Sequence, residues 1–207
     1  MSLTLYGFNG STYVRTVKML LAEKKADFDQ VPVNVMKGEP LMPEHLARHP
    51  FGKVPVVDHD GFRIIESSAV NAYLNEVLPG PDLMPDNARD RARAHMAISI
   101  YDSYGYGALV QVFGYHLFPD FLGGQNAANH SKGIEDSKKV LGHLMKIKGD
   151  DPFIAGDSPT LADFYLAPAI AYLSMTPDAA ELLKVPGLAE WWERIQALDS
   201  FKSTPPQ

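Results

Sequence analysis

Side chains that could do chemistry gather at three points early in the chain. Ser11, Thr12 and Tyr13 set three hydroxyls in a row in "NGSTYV", where an apolar segment gives way to a helix-like pattern. A hydroxyl there can cap the helix by accepting from a free backbone N–H. It can also be aimed, together with those N–H groups, at a bound anion. Glu66-Ser67 repeats the arrangement, since a serine at the start of a helix suits a carboxylate; a plain cap with an acidic first turn is the alternative. Lys53-Val54-Pro55 places a cation beside an X-Pro bond, the kind of peptide bond that tolerates the cis form. The alternatives there are an edge-strand proline and a solvated lysine.

Other chemistries are excluded or unsupported. The chain has 207 residues and no cysteine, which rules out disulfides, Cys-based zinc sites, Fe–S clusters and a cysteine nucleophile. Among seven histidines, His45 and His49 are four apart, but "HLARH" lacks the glutamate of a zincin and reads as a solvated helix face. No metal site is expected. There is no G-x-G-x-x-G and no P-loop. Net charge is −6 and no Lys/Arg run exceeds two residues, a poor composition for binding nucleic acid or an anionic membrane. No apolar run reaches about 18 residues, so no membrane span is expected. "MSLTLYGF" lacks the features of a signal peptide, and the cytosol is the expected compartment.

The elements that must position these residues follow from periodicity. "LTLYGF" (3–8) reads as a strand. From Ser11 the apolar residues Val14, Val17, Leu20 and Leu21 fall at helical spacing. "FDQVPVNV" (28–35) alternates as an edge strand would, and "MPEHLARH" (42–49) reads as a short helix. "KVPVVDHDGFRIIE" is a hairpin turning at Asp60-Gly61. "SSAVNAYLNEVL" (67–78) is a helix with Ser67 and Ser68 as cap candidates. The order β-α-β-α-β-β-α fits one mixed four-stranded sheet covered by helices.

"PGPDLMPDN" (79–87) has linker composition. Beyond it the strand signals fade, and helices are expected at about 88–118, 126–147, 161–175 and 187–198. In "SPTLADF", Thr160 as N-cap with Asp163 three residues on forms a capping box. Two domains result, 1–79 and 88–207, the second all-helical.

This layout resembles that of the cytosolic glutathione transferases. "HPFGKVPVVDHDGFRIIESSAVNAYL" (49–74) is similar to that family's glutathione-binding segment, and "SPTLADF" to the capping box of its helical domain. The spacing from "NGSTYVRTV" through "FGKVP" to "ESSAV" is most similar to the serine-using phi and theta-like classes. The resemblance implies an α/β thioredoxin-like N-terminal domain plus an all-α C-terminal domain. It implies glutathione as co-substrate, an apolar electrophile as second substrate, and a homodimer. Ligand-binding or assembly modules, and glutathione-dependent peroxidases or isomerases, share the fold and stay open.

The resemblance also implies roles for residues. A chain without cysteine must borrow its thiol. A free thiol with a pKa of about 8.5 is only about 3% thiolate at pH 7, and lowering it by about 2 units takes about 2.7 kcal/mol of preference for the anion. Ser11 is the expected thiolate donor, with Thr12 or Tyr6 as alternatives. Pro55 is expected to be cis, freeing the N–H and C=O of Val54 to pair with the cysteine backbone of glutathione. Ser67 would hold the γ-glutamyl carboxylate, Glu66 its ammonium, and Lys53 the glycine carboxylate. A basic pair usual in the family's second helix falls here at Pro40 and Leu41, leaving Lys37 or His45 as candidate helpers of Lys53. In "YDSYGYGALVQVFGYHLF" (101–118), Tyr104, Phe113, Tyr115 and Phe118 are the expected lining of an electrophile pocket. Asp102 is a candidate to reach the ligand's ammonium across a dimer interface.

Overall fold

Leu3 and Leu5 alternate with less buried neighbours and make β1 (Leu3–Tyr6) the centre of the sheet. A computed structural model describes residues 2–206. β2 (Asp29–Val31) runs parallel to β1, β3 (Val56–His59) antiparallel to it, and β4 (Phe62–Ile64) antiparallel to β3, giving the order β2-β1-β3-β4. Asp60 and Gly61 both take positive φ between β3 and β4, as a two-residue hairpin turn requires.

Helix α1 (Thr12–Glu23) buries Val14, Val17, Leu20 and Leu21 completely. The 3.6-residue period of those four side chains therefore sets the face turned to the core. α2 (Pro43–Leu46) is a single turn, and α3 (Ser67–Val77) packs on α1 through Val70, Asn71 and Leu74. The second strand is shorter than its alternation suggested. After Pro32 the chain passes into two 3-10 turns, Val35–Lys37 and Glu39–Leu41, because Asn34 caps the first with its side chain and Pro40 starts the second.

Residues up to Asp82 form one compact unit together with those from Asp199 onward; Leu83 to Leu198 form the other. The return of the C-terminal segment, α10 (Asp199–Lys202) among it, has a local cause. The buried Arg15 guanidinium lies 4.1 Å over the Phe201 ring and donates to the Phe201 carbonyl at 3.1 Å, which combines a cation–π contact with a hydrogen bond.

The second unit is helical: α4 (Ala88–Ile100), α5 (Tyr106–Leu117), α6 (Ala127–Lys148), α7 (Leu161–Leu173), α8 (Ala179–Leu182) and α9 (Leu188–Ala197). The expected helix over 88–118 is interrupted by a π turn at Tyr101–Gly105. Gly105 sits against α6 there, and a Cβ on it would meet Val140 Cγ1 at 3.0 Å. α7 is buried on all sides and begins at Thr160. The fully buried Asp163 carboxylate accepts from the Thr160 N–H (2.8 Å) and hydroxyl (2.9 Å), the Ile154 N–H (2.9 Å) and Trp191 Nε1 (2.8 Å). Burial pushes its carboxyl above the ordinary range while those four donors pull against the rise.

Candidate active site

Register brings the three chemical points to one end of the sheet. Tyr6 at the end of β1 pairs with Val56 at the start of β3, and Val57 pairs with Ile64 at the end of β4. The loop carrying Ser11, the segment carrying Lys53 to Pro55, and the Glu66-Ser67 junction therefore all leave the sheet at the same edge.

Ser11 is the N-cap of α1, and its Oγ accepts from the Val14 N–H at 3.3 Å. The cap uses the oxygen as acceptor and leaves the hydroxyl proton free to be donated. The turn before it is tight: a Cβ on Gly7 would run into Val14 Cγ2. Ser11 is half-exposed, whereas Thr12 is buried, its Oγ1 without a partner among the described residues. Tyr6 is engaged elsewhere. Its hydroxyl donates to Asp58 Oδ2 at 3.2 Å and Arg48 covers its ring at 4.6 Å. Asp58 is also held by Arg63 through two bonds of 2.7 Å, which lower its carboxyl below the ordinary range.

The segment 49–54 is fixed from behind by two histidines. His45 and His49, expected on a solvated face, are both only 2% exposed. His45 Nε2 donates to the Lys53 carbonyl at 2.8 Å. His49 Nδ1 accepts the Phe51 N–H at 3.3 Å, and its Nε2 lies 3.9 Å from Glu66 Oε1. Burial lowers the His49 pKa, against a smaller rise from Glu66. Gly52 takes φ 59°, and a Cβ there would meet the Pro40 carbonyl oxygen at 2.9 Å, so the turn accepts only glycine without strain.

This scaffold presents the Val54-Pro55 peptide bond, which is cis. Among the described residues neither the N–H nor the C=O of Val54 has a hydrogen-bond partner. The Lys53 side chain is exposed and unpaired in the same sense. His45 faces inward and serves Lys53 through the backbone, while Lys37 stays exposed.

Glu66 precedes α3 with φ 68° and ψ 118°, a conformation a non-glycine residue adopts at a cost and that concentrates at functional sites. Its carboxylate is exposed. Ser67 opens the helix half-exposed; its carbonyl accepts from Asn71 Nδ2 at 2.8 Å, and its hydroxyl has no partner among the described residues. The edge thus offers a hydroxyl donor at one helix N-terminus, an unpaired peptide group, a cation, and a hydroxyl with a carboxylate at a second helix N-terminus. It is equipped to bind an extended, zwitterionic peptide-like ligand.

The aromatic residues of the second unit separate. Tyr104 is 69% exposed on the π turn. Phe113 is 4% exposed and packs on Phe118 and Tyr172, with ring centroids 6.3 and 5.2 Å away; it is an interior residue of its unit. Tyr115 stacks on His130 at 4.3 Å, so its face is already covered. Asp102 is exposed.

Comparison with known proteins agrees with this architecture. Residues 1–76 match the family described as glutathione S-transferase, N-terminal domain, and residues 109–199 match glutathione S-transferase, C-terminal domain. The chain is 30% identical to glutathione S-transferase F13 of Arabidopsis thaliana, over 100% of this chain and 96% of that protein. Among solved structures it is similar to glutathione transferase F7 from Populus trichocarpa, with TM-score 0.88, 29% identity, and 98% and 97% of the two chains covered. It is also similar to glutathione S-transferase I from mais in complex with an atrazine glutathione conjugate, with TM-score 0.86, 27% identity, and 99% and 96% covered.

Proposed function

The chain belongs to the glutathione S-transferase family, and we propose that it conjugates glutathione to an apolar electrophile with Ser11 as the group that keeps the thiol ionised. The observation that carries this reading is the state of Ser11. Its oxygen is occupied by the Val14 N–H, and its proton is free at a half-exposed helix N-terminus.

In this mechanism the γ-glutamyl carboxylate binds the Ser67 hydroxyl and the first amide groups of α3, and Glu66 takes the ammonium. The Val54 N–H and C=O pair with the cysteine moiety as a neighbouring strand would. Lys53 takes the glycine carboxylate. The thiol loses its proton to solvent, and the sulfur anion accepts from Ser11 Oγ in the field of the α1 N-terminus. The thiolate then forms a carbon–sulfur bond while the electrophile's leaving group departs with its electron pair. No covalent enzyme intermediate is needed; lowered pKa and proximity supply the rate.

For the electrophile, the exposed Tyr104 offers an aromatic face, and Phe113 and Tyr115 act at most through packing. The conjugate held by the mais relative supports an apolar second substrate. A second copy of the chain is the inferred partner; Phe51 is 70% exposed, and Met36, Leu41 and Met42 are exposed on the same stretch, an apolar surface that association would cover. A reducing cytoplasm, where the glutathione pool is maintained, is the setting we assign. No helix among the described residues is long and apolar enough to cross a membrane.

Retention on immobilised glutathione, followed by turnover of a generic aryl halide with free glutathione, tests the reading. Retention with turnover is expected. Retention without turnover would contradict conjugation.

A further inference from the structure

Outside the glutathione site, the second unit brings two imidazoles and a carboxylate to one point. His116 is in the last turn of α5, His130 in the first turn of α6, and Asp178 just before α8. Their ligating atoms all lie within 4.8 Å of one another. His116 Nε2 is 2.9 Å from Asp178 Oδ2, and His130 Nε2 is 2.7 Å from the same oxygen. We propose that these three residues form a binding site for one divalent transition-metal ion of the Zn2+ type.

Three features favour a metal over a simple pair of hydrogen bonds. First, both rings address Oδ2, while Oδ1 has no partner among the described residues. The three groups thus converge on one point, as the ligands of a common centre do. Second, the ligand set is right. Two imidazole nitrogens and one carboxylate oxygen, with a fourth position left to water, is a recurrent open Zn2+ site, and imidazole-rich sites favour late first-row ions. In a tetrahedral site with Zn2+ bonds of about 2.0–2.1 Å, neighbouring ligand atoms stand about 3.3–3.4 Å apart. The two nitrogen–oxygen pairs would therefore open by about half an ångström, and the two nitrogens, now within 4.8 Å of each other, would settle to the same spacing. Third, the rings are held. Tyr115 stacks on His130 with an interplanar angle of 23°, and the two imidazoles meet edge to face at 5.2 Å. The Tyr115 carbonyl is tied in turn by Gln125 Nε2 at 2.9 Å.

The side chains are 15% to 26% exposed, partly desolvated yet open to an ion from solvent. On binding, each Nε2 gives its lone pair to the ion. A neutral ring shifts its one proton from Nε2, where it now faces Asp178 Oδ2, to Nδ1, and a charged ring releases its Nε2 proton to solvent. The ion would link the ends of α5 and α6 to the turn before α8 and so stabilise the unit. Spacing within a helix could not reveal the site, since its members come from three elements. It uses none of the residues assigned to glutathione, and the transfer reaction proposed above does not depend on it.

The test is calorimetric titration of the full chain with Zn2+ alone, glutathione omitted because its thiol binds zinc. One ion per chain is expected, with affinity reduced more than about tenfold by His116→Gln and again by His130→Gln, a scale on which even outer-shell groups matter. Co2+ added to the unaltered chain should give the intense visible absorption of a low-coordinate ion, a measurement that needs no variant to fold. Asp178→Asn should weaken that band. The proposal is overturned by absence of Zn2+ binding, by binding that survives the double His variant, or by a Co2+ spectrum no different from that of the aqueous ion.

Discussion

The Val14 N–H donates to Ser11 Oγ at 3.3 Å, so the residue assigned to the sulfur is also the cap of α1. The two roles draw on different parts of one hydroxyl. Capping needs a lone pair, and holding a thiolate needs the proton. The dipole end that a cap satisfies is the same one that stabilises an anion.

Substitution can therefore separate the roles. Ser11→Asp keeps a good cap, and stability should change by less than about 0.5 kcal/mol. The new carboxylate repels the sulfur anion, so the bound thiol should titrate above the free thiol and conjugation near neutrality should fall by more than about 100-fold. A thermal melt beside a pH–rate profile checks both halves. Retained activity would show that Ser11 only caps.

Lys53 carries no partner among the described residues, and its carbonyl is fixed by His45 at 2.8 Å. Lys53→Met should raise the KM for glutathione about tenfold, the equivalent of one charge-assisted hydrogen bond at about 1.5 kcal/mol. The kcat should stay within about twofold, because the glycine carboxylate is bound equally in the ground and transition states. A drop in kcat with unchanged KM would reject the assignment.

Much of the glutathione-binding unit was legible in the sequence because its signals are local. The period of Val14, Val17, Leu20 and Leu21, the Asp60-Gly61 turn and the serines opening α1 and α3 each depend on a few neighbouring residues. The features hidden from sequence depend on packing. α2 is one turn long, too short for periodicity to show that His45 and His49 face inward. An aromatic on a helix has the same spacing whether it lines a pocket or fills a core, so spacing could not show that Phe113 is interior. His116 and His130 each lie 48 or more residues from Asp178, beyond the reach of any spacing rule.

His49 predicts a pH dependence of stability. Burial lowers its native pKa below the unfolded value of about 6.5, so the unfolded chain binds the proton more strongly. Stability should fall as pH drops through about 6.5 and level off below the native pKa. His49→Asn removes that contribution. Urea midpoints at about pH 7.5 and about pH 5.5 should differ less in the variant than in the parent chain. Equal losses would place the titration elsewhere.

Asp163 accepts from four donors in full burial. Asp163→Asn turns an amide N–H2 toward at least one N–H or O–H donor and should destabilise the helical unit by on the order of 3 kcal/mol. Denaturant unfolding followed by Trp191 and Trp192 fluorescence reads this directly. A change below about 1 kcal/mol would mean that the four donors find other partners.

Everything proposed for catalysis turns on the Ser11 hydroxyl shifting the thiol of bound glutathione toward its anion. Ultraviolet difference absorption of the thiolate, titrated with pH in the parent chain and in Ser11→Ala, measures that shift. In the parent the bound thiol should be about 2 pH units more acidic than free glutathione, returning most of the way to about 8.5 in the variant. An unchanged titration in Ser11→Ala would contradict Ser11 as the donor to the sulfur.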